Sequence, residues 1–151
     1  NTKSKKEIAD IIFKYSDERR SRAIAESILK MRPIKNVFEL VEAIRRSTPP
    51  KNRKKTVARV FQAIRILVNN ELSILGNFLS QFCNQLSVGG RVVFISFHSI
   101  EDRIVKHALK DLSSKKKMKI LTKKPLYPSP EENFSNRRSR SAKLRAAERI
   151  L

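Results

Sequence analysis

The stretch Gly89–Lys106, GGRVVFISFHSIEDRIVK, limits what this chain can fold into more than any other. A Gly-Gly turn feeds Val92–Phe97, a run of apolar or small residues bounded by turn signals, which fits a strand buried on both faces. The period then changes. Ile100, Ile104, Val105, Ala108, Leu109 and Leu112 recur at helical spacing. Ser99 with Asp102 has the spacing of a capping box, with a carboxylate at the helix's positive end. His98 and Ser99 therefore fall where a strand ends and a helix begins, the carboxyl end at which open α/β sheets bind ligands. Two roles stay open. Either His98, Ser99, Glu101 and Asp102 face a substrate cleft, or Ser99 caps, the acids complement the dipole and His98 bonds locally.

Charge narrows the partner. Lys and Arg number 34 against 14 acids, a net charge of +20 over 151 residues. Self-repulsion on that scale costs stability unless something neutralises it, so a polyanion is the expected partner and nucleic acid the leading one. No basic stretch carries the large apolar face that a membrane surface would need. There is no transmembrane run and no signal-peptide pattern, which gives a cytoplasmic expectation. A single cysteine, Cys83, excludes an internal disulfide and falls in an apolar helical stretch, as a buried inert thiol does. Two histidines and one cysteine supply no metal cluster. Neither GxGxxG nor GxxxxGK[ST] occurs, so the usual phosphate-cradling loops are missing.

The remaining chain reads as follows. Ile8, Ile11, Ile12 and Tyr15 make a helical stripe after Ser4, a potential N-cap. Asp17 is the expected start of a second helix with Ile24, Ala25, Ile28 and Leu29 inward. Arg19, Arg20 and Arg22 would then gather at the end the dipole disfavours for cations, which fits phosphate contact as well as a solvated face. Val37, Leu40, Val41 and Ile44 predict a third helix. Thr48–Lys55 reads as a loop with a basic run. Val57 to Leu86 is periodic throughout and predicts one long helix, or two meeting near Asn69-Asn70. Lys115–Lys124 is basic with a short strand at its centre. Pro125, Pro128 and Pro130 predict that Leu126–Arg140 is irregular and mobile. For the closing residues propensity favours a helix and alternation a strand, with Ala142, Leu144 and Ala146 on one side.

These residues resemble one family. GGRVVFISFHSIEDRIVK and NRRSRSAKLRAAERI are similar to the two C-terminal signatures of the bacterial small-subunit ribosomal RNA cytosine-N4 methyltransferases of the MraW type. Asp17-Glu-Arg19, Ser21-Arg22 and Ile24-Ala25 resemble its "EERxSRxIA" segment, and Arg59 with Phe61–Ile66 resembles "RTFQALRI". The chain departs from the pattern at Lys55–Ala58, at Arg20 and at Arg137; Lys55 and Arg137 add positive charge.

The resemblance implies an α/β fold: the C-terminal half of a class I, Rossmann-like methyltransferase core plus an inserted helical domain. Residues 1–50 would be the inserted substrate-recognition domain and 51–151 the C-terminal part of the core. There Arg91–Phe97 would be strand five, with Lys119–Thr122 and Leu144–Glu148 as strands six and seven, an antiparallel pair. It implies S-adenosylmethionine as cofactor, with the cofactor-binding half missing from these residues and supplied as the rest of a longer chain or by a separate polypeptide. It implies cytidine N4 in small-subunit ribosomal RNA as the target, and leaves room for a homodimer. His98 and Ser99 would border the base pocket. Arg19, Arg20, Arg22, Arg59, Arg65, Arg138, Arg140, Lys143 and Arg145 would contact RNA. A stand-alone basic RNA-binding module without catalysis is the alternative.

Overall fold

Apolar spacing becomes seven α-helices and a three-stranded sheet in the computed structural model, which describes residues 1–151. The chain divides into two compact units, Asn1–Glu71 and Leu72–Leu151.

In the first unit α1 (Lys5–Ser16) opens with a capping box. The Glu7 amide donates to Ser4 Oγ at 3.3 Å and the Ser4 amide donates to Glu7 Oε2 at 2.8 Å. The helix stops at Asp17, whose backbone is left-handed at φ 52°. Asp17 thus ends the first helix and does not start the second. The turn that follows is built on Glu18: its carbonyl accepts from the Ser21 amide and its carboxylate from the Arg20 amide. Only then does α2 (Ser21–Lys30) begin. Arg20 is its N-cap, Arg19 the residue before and Arg22 its second residue, so all three cations sit at the positive end of the helix.

Asn36 caps α3 (Val37–Arg46), accepting from the Glu39 amide at 3.0 Å. Thr48 is buried and donates back to the Ile44 carbonyl at 2.7 Å. A 3-10 turn, Pro50–Asn52, then leads into α4 (Arg53–Val68). The basic run expected as loop supplies the first turn of a helix, because Pro50 presets the turn that starts it. Ile12, Ile24, Ile28, Ala43, Ile44 and Val60 meet in one core, so α4 shares its packing with α1–α3. The long periodic segment breaks at Asn69-Asn70, as the sequence allowed, with Asn70 left-handed at φ 52°; asparagine tolerates that region better than most residues.

In the second unit α5 (Glu71–Gln85) and α6 (Ser99–Ser114) pack on one face of a sheet. The strands are β1 (Arg91–Ser96), β2 (Met118–Ile120) and β3 (Lys143–Arg149), in the order β1-β3-β2. Both outer strands run antiparallel to β3, from Arg91↔Glu148 to Ser96↔Lys143 on one side and from Met118↔Arg149 to Ile120↔Ala147 on the other. The closing residues are a strand: alternation prevails over propensity because Arg145 and Ala147 are buried on one side of it. Leu79, Phe82, Cys83, Val105, Leu109, Met118 and Ala147 form the core, with Val92 and Phe94 packed against it. Phe94 meets the ring of Phe82 edge-on at 5.3 Å between centroids.

Two expectations fail here. β1 is not buried on both faces. Val92 and Phe94 face the core, but Val93 is 56% and Ile95 57% exposed, since α5 and α6 cover one face only. Leu126–Arg140 is not irregular either. Leu126 pairs with Leu144, Ser129 caps α7 (Pro130–Ser135), and a 3-10 turn runs Arg137–Ser141. Pro130 sits at a first-turn position, where its missing amide costs nothing, so it starts a helix instead of breaking one.

Candidate nucleic-acid interface

Antiparallel pairing brings the carboxyl end of β1 beside the amino end of β3. Ser96 is the partner of Lys143, and its hydroxyl donates to the Lys143 carbonyl at 3.5 Å. His98 and Ser99, just after β1, therefore share one end of the sheet with the segment Arg138–Lys143, just before β3.

His98, and not Ser99, is the N-cap of α6. Its backbone is extended (φ −141°, ψ 162°), and its Nδ1 accepts from the Glu101 amide at 3.3 Å. Glu101 answers by accepting from the Phe97 amide at 3.2 Å. The cap is thus shifted one residue from the Ser99–Asp102 spacing, because an imidazole nitrogen serves as the cap acceptor, and Glu101 bonds the residue before the cap instead of closing a capping box. His98 Nε2 lies 3.1 Å from Glu101 Oε1 but without the alignment of a hydrogen bond, so we read this contact as electrostatic proximity only. The imidazole is nearly buried and held by its capping role; Ser99 is exposed beside it.

Asp102 turns away from the cap and grips Arg145. Nε donates to Oδ1 at 2.7 Å and Nη2 to Oδ2 at 3.0 Å, a two-point clamp between α6 and β3. The hydrogen bond from Arg145 holds the Asp102 carboxyl below the usual carboxylate range, against the opposing pull of burial. Arg145 is only 7% exposed, so its guanidinium is spent inside the protein and not on phosphate.

Arg138 and Arg140 behave differently. Both are exposed, while Ser139 between them is buried. Its hydroxyl is within hydrogen-bond distance of the Asn136 carbonyl (2.8 Å) and of Asn133 Oδ1 (3.2 Å), which ties the turn to α7. The Asn136 side chain also accepts from the Arg138 amide at 3.1 Å. Lys143 is half-buried at the mouth of the sheet.

The first-unit arginines sort themselves by partner. Arg19 and Arg22 are exposed. Arg20 donates to the Ser47 carbonyl at 3.2 Å. Arg59 donates to Glu18 at 3.3 Å. Arg65 forks onto Glu71 at 2.9 and 3.1 Å. Glu18, 3% exposed, is the residue that sequence reasoning missed. Its only signal was an acid sitting within an arginine cluster.

The residues present do not fit an S-adenosylmethionine site. Gly89 and Gly90 lie at the amino end of β1, bonded to Arg149 (Gly89 amide to the Arg149 carbonyl and Arg149 amide to the Gly90 carbonyl, each 2.8 Å). Gly76 is inside α5. At the carboxyl end of β1 both acids are engaged, Glu101 with the Phe97 amide and Asp102 with Arg145.

What stands is an α/β unit with a cationic turn beside the carboxyl end of a strand, and a helical unit rich in arginine. Residues 1–150 match the model of the MraW methylase family, and the chain belongs to that family. The ribosomal RNA small subunit methyltransferase H of Thermosipho africanus is 53% identical over 154 residues, which cover 99% of this chain and 52% of that protein. Those of Rippkaea orientalis (49% identical, 100% of this chain, 50% of that protein) and Kosmotoga olearia (51%, 99% and 52%) are similar. The chain spans about half the length of the curated relatives it matches. No helix is long and apolar enough to cross a membrane.

Proposed function

We propose that this chain is the RNA-facing part of an S-adenosylmethionine-dependent methyltransferase that modifies cytidine N4 in small-subunit ribosomal RNA in the cytoplasm. The match of residues 1–150 to the family carries this reading, and the relatives' shared name supplies the substrate class. Because the residues present do not fit the cofactor, its site belongs to residues outside these 151. Residues 1–50 are, on this reading, the inserted recognition domain and 51–151 the C-terminal part of the core, with α4 of the latter packed against α1–α3. On this reading the three strands are the fifth, sixth and seventh of a larger sheet, whose order β1-β3-β2 supports it.

Within that enzyme the chain holds and positions RNA. Arg138 and Arg140 bind phosphate, with Lys143 close by, and their backbone is fixed by Ser139. His98 and Ser99 border the pocket for the flipped base. His98 is a positioning residue: its Nδ1 is committed to the helix cap, which leaves it a rigid wall and not a proton acceptor at that atom.

A chimera tests this. The 151 residues replace the matching segment of the Thermosipho africanus relative, and methylated cytidine in small-subunit ribosomal RNA is measured by nucleoside mass spectrometry. Methyl transfer is the expected result. Arg138→Ala with Arg140→Ala should weaken RNA binding and flatten its salt dependence by about one logarithmic unit for each phosphate no longer held. His98→Ala should lower methyl transfer more than binding, and His98→Asn, which keeps a cap acceptor, should separate the cap from the pocket. RNA binding by a folded chimera without methyl transfer would favour the binding-module reading.

A further inference from the structure

The first unit contains an open groove between the end of α3 and the start of α4, of about 450 Å³, that no role above uses. Val41, Pro50 and Val57 line it together with Arg45, Arg53 and Lys54. No carboxylate lines it. Arg53 donates through Nε to the Thr48 carbonyl at 3.2 Å, which fixes the guanidinium there. Three residues back from Val41 along α3, on the same helical face, Phe38 is 84% exposed. Phe38 thus presents an open aromatic face one turn along α3 from the groove. The first turn of α4 carries Arg53, Lys54 and Lys55 with no acid, against its dipole. An anionic ligand in the groove would offset that charge, and the neighbouring ring suits one that is also aromatic.

We infer that this groove binds single-stranded RNA, a phosphate held there by Arg45, Arg53 and Lys54 and an adjoining base stacked on Phe38 one turn along α3. The volume lies within the range of small-molecule and nucleotide pockets. The pairing of a flat apolar surface with unpaired cations is how single strands are held without reading sequence. The inference rests on the proposed RNA-directed function and adds a second contact, on a different unit from Arg138 and Arg140. An acidic protein segment would satisfy the cations but not the exposed ring.

The test uses the whole 151-residue chain and a fluorescein-labelled single-stranded RNA of about 12 nucleotides, within the usual span of such sites. Binding is followed by anisotropy across a potassium chloride series, with circular dichroism melts to confirm that each variant folds. Phe38→Ala should weaken binding about tenfold with the salt slope unchanged, because stacking releases no counterion. Arg45→Ala with Lys54→Ala should weaken it and reduce the slope by about 1.4. Lys6→Ala with Lys14→Ala, which removes the same charge from α1, should do much less. If the groove variants match that control while Arg138→Ala with Arg140→Ala still weakens binding, the groove assignment falls and the RNA-facing reading stands. If the unmodified chain binds no RNA, both fall. Equal affinity for poly-glutamate, with no effect of Phe38→Ala on either probe, would show a generic polyanion surface and also overturn the groove assignment.

Discussion

Arg145 and Asp102 are locked face to face, Nε to Oδ1 at 2.7 Å and Nη2 to Oδ2 at 3.0 Å, with side chains 8% and 11% exposed. The pair joins the first turn of α6 to the middle strand of the sheet. Removing one partner leaves a buried charge alone, so Arg145→Ala should cost about 3–5 kcal/mol, whereas replacing both with apolar residues should cost far less. The Asp102 carboxyl is held below its ordinary value, so the folded state binds its proton later than the unfolded state as pH falls. Its stabilisation is complete above the unfolded value of about 3.9 and is lost as pH drops through the folded one. Urea midpoints of the unmodified chain should fall below about pH 4, and the Asp102→Asn variant should lose that part of the slope.

Glu18 and Arg59 make an unequal pair at 3.3 Å: the carboxylate is buried and the guanidinium about half exposed. Glu18→Ala should cost about 1–3 kcal/mol, because the Arg20 amide loses its acceptor in the turn before α2. Arg59→Ala should cost under about 1 kcal/mol. Denaturation of the two variants in the same buffer gives the order. The reverse order would make Arg59 the structural partner.

Gly90 is sterically required. A Cβ there would lie 2.8 Å from the Ser87 carbonyl oxygen, which is backbone and cannot swing aside. Gly89 beside it is left-handed at φ 81°. Gly90→Ala should lower stability by about 1–3 kcal/mol, and Gly89→Ala by about 1–2 kcal/mol. Thermal melts should show both losses; an unchanged Gly90→Ala melt would mean that the turn relaxes freely.

β1 pairs with β3 and shows a second edge, and the face carrying Val93 and Ile95 is exposed. An apolar strand edge recruits other strands. The 151-residue chain should therefore self-associate with rising concentration in sedimentation velocity, and Val93→Lys should shift it toward monomer. A monomer at every concentration would contradict this.

Much of the fold was legible because it was written in period. The switch from β1 to α6, the break at Asn69-Asn70 and the α3 stripe all rest on apolar spacing, which tertiary packing then used. The corrections share a different cause. Asp17 and Pro130 act through backbone geometry and His98 through a side-chain cap, and composition does not show which of these a residue will adopt. The exposure of Val93 was hidden because an apolar run looks the same whether one face or both are covered. Among the site residues, exposed Arg138 and buried Arg145 lie in one basic run. Only the partner on α6, Asp102, tells them apart.

Ser139 has a consequence for speed. The turn bearing Arg138 and Arg140 is set when the protein folds, through the hydroxyl contacts to Asn136 and Asn133. Freezing a residue's backbone costs about 1–2 kcal/mol, and for this turn that loss is already incurred before any polyanion arrives. If Arg138 and Arg140 hold phosphate as proposed, an encounter needs only their side chains to rotate, and more first collisions become productive.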